Sequence, residues 1–179
     1  ASIVTSCTIV NRAPTPKPPQ TQLQTREYQT REFDTNDVKL VMKAMLNVLQ
    51  DDGFVVKNAV PDLGLLTATK EIQLSGSGSS GSQSDQFWSD VFASLVTGSN
   101  ERNNNRDSRP ARYNKFKIVE VSVNVSEIGR RTKVRANFQA KVLDNEGNPV
   151  DVYVIQDQKF YQDFFAKVDK GIFLQKSGF

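Results

Sequence analysis

Few residues in this chain combine a type and a spacing that chemistry could use. It contains no histidine and a single cysteine, Cys7. Zinc centres, Ser-His and Cys-His nucleophile pairs, and most general bases working near neutral pH depend on imidazole. Carboxylates are left as the main acid–base candidates. Pairs such as Asp51 with Asp52, or Asp144 with Glu146, fall in expected turns, where acidic residues serve turn geometry and capping. The Gly/Ser run at 75–82 is not followed by the Lys-Ser/Thr that a phosphate loop needs. The sequence thus argues against an enzyme, and calls for no catalytic residue, no metal and no cofactor. One basic cluster remains. Arg102, Arg106, Arg109 and Arg112 lie in the most polar stretch, 99–117, with Lys115 and Lys117. Interleaved arginines suit phosphate, whether of nucleic acid or of lipid headgroups. Only Tyr113 and Phe116 could stack a base, so a solvated loop or a partner-docking loop is expected, and no nucleic acid.

The other chemically distinctive residue is the thiol. Val4-Thr5-Ser6-Cys7 resembles a bacterial lipobox: a branched apolar residue, two small residues, then cysteine. Signal peptidases need small side chains before the cut, and only cysteine offers a sulfur for diacylglycerol. Residues 1–6 then read as the tail of a signal peptide and Cys7 as the lipid attachment site. Thr8 follows rather than aspartate, which by resemblance to Gram-negative lipoproteins directs the protein to the periplasmic face of the outer membrane. The plainer alternative is a chance cysteine in a tail. Residues 11–26 carry Pro14, Pro16, Pro18 and Pro19 among Thr, Gln and Lys, and read as an extended tether.

The remaining 27–179 is expected to form one domain. A net charge of +3 is too mild to mark a nucleic-acid binder. No run approaches the roughly 20 apolar residues that cross a bilayer. The lone cysteine excludes an internal disulfide.

The opening unit from Tyr28 reads strand, helix, strand, strand. Val38, Val41, Met42, Met45, Val48 and Leu49 form one helical stripe. Either Asp34 or Thr35 is expected to cap it, and Gly53 to end it. Phe54 to Val56 follows as a strand, and Pro61-Asp62-Leu63-Gly64 turns into the strand at 65–69. Beyond the Gly/Ser connector at 75–82, a helix starts at Ser84 or Asp85, with Phe87, Trp88, Val91, Phe92 and Leu95 on its core side. From Lys115 the period becomes two: Val119, Val121, Val123 and Val125, then Val134, Ala136, Phe138, Ala140 and Val142 after a turn at Gly129. Residues 150–155 make a further strand. Asp157 caps a last helix with a stripe of Phe160, Tyr161, Phe164, Phe165 and Val168, continued by Ile172 and Phe173.

The expected class is α+β, in the order β-α-β-β-α-β-β-β-α, an antiparallel sheet with helices packed on one face. This resembles the helix-grip or TATA-binding-protein-like domains in the lipoprotein subunit of the outer-membrane barrel-assembly machine. Arg31-Glu32-Phe33-Asp34, the run from Val48 to Phe54, and Leu63-Gly64-Leu65-Leu66 carry that resemblance. Thr132-Lys133-Val134-Arg135-Ala136-Asn137-Phe138 and Tyr161-Gln162-Asp163-Phe164-Phe165 resemble uncharacterised bacterial lipoproteins. The lipobox-like start, the tether, the expected α+β body and the lack of a catalytic constellation point to a peripheral lipoprotein serving as a binding or scaffold subunit. Its partners would be the outer membrane, through Cys7, and a larger envelope complex such as a channel, a secretion or efflux assembly, or the barrel-assembly machine. The alternative is a periplasmic carrier holding a lipid or other apolar ligand between helix and sheet.

Overall fold

The computed structural model describes residues 21–73 and 114–178. The Gly/Ser connector, the helix carrying Trp88, the four arginines and Cys7 lie outside the described residues. Helix α1 spans Gln22–Tyr28, strand β1 Thr30–Phe33 and helix α2 Val38–Asp51. Strands β2 (Val55–Val60) and β3 (Leu65–Gln73) follow, joined by a 3-10 turn at Pro61–Leu63. Then come β4 (Asn114–Ile128), β5 (Arg131–Asp144), β6 (Pro149–Val154) and helix α3 (Gln158–Lys176). The class is α+β, as expected, with six antiparallel strands.

The first correction comes at the start. The stretch 22–26, expected as extended tether, is helical, and the expected domain boundary at 26/27 falls inside α1. Thr21 Oγ1 accepts from the Gln24 amide at 3.3 Å while Gln24 Oε1 accepts from the Thr21 amide at 3.1 Å. That reciprocal capping box starts a helix without any apolar stripe. The first strand accordingly begins at Thr30, not Tyr28.

The α2 stripe is where the spacing puts it: Val41, Met42, Met45, Val48 and Leu49 are buried, with Val38 partly so. Its cap is Asp37, not Asp34 or Thr35; the Asp37 carboxylate accepts from the Leu40 amide at 2.9 Å. Thr35 is one step removed, its hydroxyl accepting from the Asp37 amide. At the other end Gly53 adopts φ +81°, its amide donating to Gln50 O and that of Phe54 to Leu49 O. These two bonds close the helix as a glycine C-cap does. Gly64 is required more strictly. At φ +64° a Cβ there would lie 1.9 Å from the Val125 carbonyl oxygen, and Val125 N donates to Gly64 O at 2.7 Å. Only glycine lets β3 and β4 come so close.

The sheet runs β1-β5-β4-β3-β2, with β6 also on β5. Strands β4 and β5 are its spine, a hairpin registered from Asn114 opposite Asp144 to Ile128 opposite Arg131. Odd residues of β4 from Lys117 to Val125 and even residues of β5 share one face and are buried. The opposite face carries polar partners such as Glu120 and Lys141, paired at 3.2 Å. Phe138 is the hub of the core. Phe160, Tyr161, Phe164 and Phe54 meet its ring edge-on at 4.8, 5.8, 5.0 and 6.2 Å, the favoured aromatic geometry. Flanking Ala136 and Ala140 are small enough to admit those rings. Ile172 continues the α3 stripe, but Phe173 does not: it is 67% exposed. One residue further round the helix turns it about 100° off a stripe that passes through Phe165, Val168 and Ile172.

Two strands share one edge of β5, and neither covers its middle. β1 pairs with Thr132 to Arg135, and β6 with Gln139 to Leu143. Ala136 N donates to Gln29 O, and Ile155 N donates to Phe138 O. Between them the Phe138 amide faces a break. The Tyr161 hydroxyl, from the first turn of α3, fills it: it accepts from Phe138 N at 3.2 Å and from Gln29 Nε2 at 3.3 Å, and donates to Ile155 O at 3.1 Å. Burial pushes this phenol's pKa up, so it stays protonated and keeps its donor. Tyr161→Phe preserves the packing and strips one partner from each of three buried groups. It should destabilise the protein by about 1–3 kcal/mol in urea unfolding. A loss below about 0.5 kcal/mol, the scatter of ordinary surface changes, would show that the hydroxyl is dispensable.

Candidate functional site

The sequence-derived site residues Cys7, Arg102, Arg106, Arg109 and Arg112 all lie outside the described residues. What the fold assembles instead is a cluster at the C-terminal end of α2. Asp52 is 5% exposed and caps that helix. A carboxylate there sits at the negative end of the helix dipole, the wrong end for its charge. Two lysines correct this. Lys70, from β3, donates its ammonium to the Asp52 carbonyl at 2.8 Å. Lys167, from α3, donates to the carboxylate at 2.7 and 2.9 Å. The cluster therefore ties α2, β3 and α3 at one point. The sequence placed Asp52 in a turn, which holds, but gave no role to either lysine. The signal for Lys70 was parity: it continues Leu66 and Ala68 on the buried face of β3.

Beside this cluster a cleft of 470 Å³ runs between α2 and α3. Val48 and Gly171 line its apolar part; Asn47 and Asp51 come from α2, Lys170 and Gln175 from α3. Gly171 lies inside α3, facing α2, and a Cβ there would meet Ala44 Cβ at 3.6 Å. Neither Asp51 nor Lys170 makes an ion pair with another described residue. No group of three or more potential metal ligands occurs among the described residues.

A second cluster lies close by on the same face of the sheet, two residues along β4 from Val119, the register partner of Lys70. Lys117 has the parity of Val119 and is fully buried. Its ammonium is 5.6 Å from the centre of the Tyr153 ring on β6. Burial lowers its pKa to about 8, against the opposing pull of Asp151. Burial pushes Tyr153 up to about 12, and Asp151 adds to that shift. A buried amine of this kind is a nucleophile in some enzymes. Here the side chain has no exposed surface, so the arrangement is one of packing.

No protein-family model matches the chain, and no curated protein matches it either. Among solved structures it is similar to a DUF4468 family protein from Bacteroides ovatus ATCC 8483. The TM-score is 0.40 at 10% identity, covering 80% of this chain and 84% of that one.

The lowered Lys117 pKa fixes a pH dependence. The folded state disfavours the ammonium, so its penalty is full below pH 8 and disappears as pH rises towards the ordinary value of 10.5. Wild-type stability, measured against Lys117→Met, should therefore rise between pH 8 and 10.5. A difference that stays flat across that window would place the ammonium in a polar setting.

Proposed function

We propose that this protein is a peripheral outer-membrane lipoprotein on the periplasmic face, serving as a binding or scaffold subunit of a larger envelope complex. The observation that carries the reading is Cys7, the one thiol, preceded by Val4-Thr5-Ser6. The body described above is compatible with attachment by lipid. Its helices α2 and α3 turn their apolar stripes inward, and none of the described helices is long and apolar enough to cross a membrane. Anchoring then rests on Cys7, through a diacylglycerol and an amide-linked chain such as palmitate. One acyl chain gives only marginal residence, and two or more give a stable one. The envelope complex the protein would serve is a channel, a secretion or efflux assembly, or the barrel-assembly machine. Arg102, Arg106, Arg109 and Arg112 would supply positive charge for such a partner.

Chemistry at the described sites favours binding over catalysis. The ionisable clusters are spent on holding elements together: Asp52 with two lysines, and Lys117 in the core. The aromatic residues that a carrier would need along its groove are packed against Phe138 and one another.

Cys7→Ser separates this reading from every soluble one. With the complete signal sequence supplied, wild-type protein should fractionate with the outer membrane and yield an acylated N-terminal peptide by mass spectrometry. The variant should be released into the soluble periplasm with unchanged circular dichroism, and its association with a membrane-bound partner should fall with its effective concentration. An unmodified thiol in the wild-type protein would end the lipoprotein reading.

A further inference from the structure

We infer that the cleft between α2 and α3 is a docking site for an extended polypeptide segment of a partner protein. The segment would carry a small apolar residue between residues of opposite charge. The inference rests on the binding-subunit reading and names the place where binding occurs.

Three observations converge on the cleft. The first is Gln175, on its wall. Both the nitrogen and the oxygen of its carboxamide are shut off from solvent, and neither has a hydrogen-bond partner. Native proteins seldom leave such a group bare. A carboxamide presents a donor and an acceptor side by side. Its complement is another amide, and a peptide group offers one at every residue. For this pair to meet an occupant of the cleft, the Gln175 side chain has to turn towards it. The second observation is Gly171. Glycine is a poor residue inside a helix, and alanine the best. Packing does not demand it, since an added Cβ would make only ordinary contacts, at 3.6 Å from Ala44 Cβ and 3.7 Å from Val48 Cγ2. What the missing methyl provides is an open, apolar floor beside Val48. The third is charge. Asp51 on one wall and Lys170 on the other are exposed, and neither has an ion-pair partner among the described residues. Beside Asp52 and Lys167, which also line the cleft and are paired with each other, an entering segment meets these two further charges, one of each sign.

Size selects the occupant further. A volume of 470 Å³ lies within the roughly 300–1,000 Å³ of ordinary ligand pockets. It has room for one or two side chains and a stretch of backbone, but not for a helix. An extended segment reading acidic, small apolar, basic, in either direction, fits the floor, the amide and both charges together.

The test is a titration of the isotope-labelled full chain with three blocked tripeptides at millimolar concentration, followed by NMR. Ac-Glu-Val-Lys-NH2 and Ac-Lys-Val-Glu-NH2 cover the two directions, and Ac-Gln-Val-Gln-NH2 is the neutral control. At least one charged peptide should shift the Gln175 side-chain amide and the Gly171 backbone amide saturably. It should bind about threefold or more tighter than the control, as two exposed ion pairs allow. Lys170→Gln combined with Asp51→Asn should erase that preference without changing the melting temperature. Gly171→Ala should raise the melting temperature yet weaken every peptide. Absence of saturable shifts at Gly171 and Gln175 would overturn the inference, as would equal binding of all three peptides. A Gln175 amide that shows contacts to ordered water alone would overturn it as well. An acylated, membrane-held chain that takes no peptide would remove the cleft and leave the lipoprotein reading standing. An unacylated chain that takes the peptide would do the reverse.

Discussion

A strand in the middle of a sheet needs a partner along each edge, and β5 has two partial ones on the same side. β1 covers the first half of that edge and β6 the second, and the Phe138 amide lies where neither reaches. A bare amide there would weaken the sheet at the centre of its own core. The Tyr161 hydroxyl closes the break by taking the Phe138 proton and giving its own to Ile155 O. A third bond, from Gln29, ties in the residue that precedes β1. One hydroxyl, with one donor and two acceptor sites, is thus fully used. Around it the Tyr28 ring packs at a tilt against Tyr161, 5.3 Å between centres, and its hydroxyl donates to Gln156 O. Through this group the first and last described segments of the chain are fixed to the same strand. It also sets the position of α3, and hence of the cleft that α3 forms with α2.

Charge is handled by the same economy. Asp52 stands at the helix end that disfavours it, and the fold answers with lysines from two other elements rather than with solvent. The result joins three elements at one point. Asp51 and Lys170, along the α2–α3 cleft, take no part in it and have no ion-pair partner among the described residues.

Much of this architecture was legible in the sequence because periodicity reports burial directly. The α2 stripe from Val38 to Leu49 and the alternation from Val119 to Val142 each required a particular face to be covered, and the faces are covered. Turn residues were equally informative: Gly53 and Gly64 both take positive φ, and Asp157 caps α3 as expected. What escaped was carried by single polar atoms. Tyr161 stood in an aromatic stripe and was read as another apolar ring, although a tyrosine among phenylalanines was the sign that a hydroxyl was needed. Lys70 and Lys117 occupied buried parities that apolar residues usually hold. Helix α1 lacked a stripe, and only the Thr21–Gln24 capping box announced it. The choice of Asp37 over Asp34 or Thr35 as cap depends on where the chain leaves β1, which local spacing does not encode. Gly171 was a visible anomaly inside a helix, and its meaning needed the neighbouring helix to be in place.

The dependence of the sheet on the Tyr161 hydroxyl can be read at one atom. Native-state hydrogen exchange of the Phe138 amide measures whether that proton is held as firmly as its neighbours on β5. The account predicts that it exchanges only with the slow core amides such as Ala136, through opening of the whole fold. Exchange of Phe138 orders of magnitude faster than Ala136, at the rate of an open sheet edge, would contradict it.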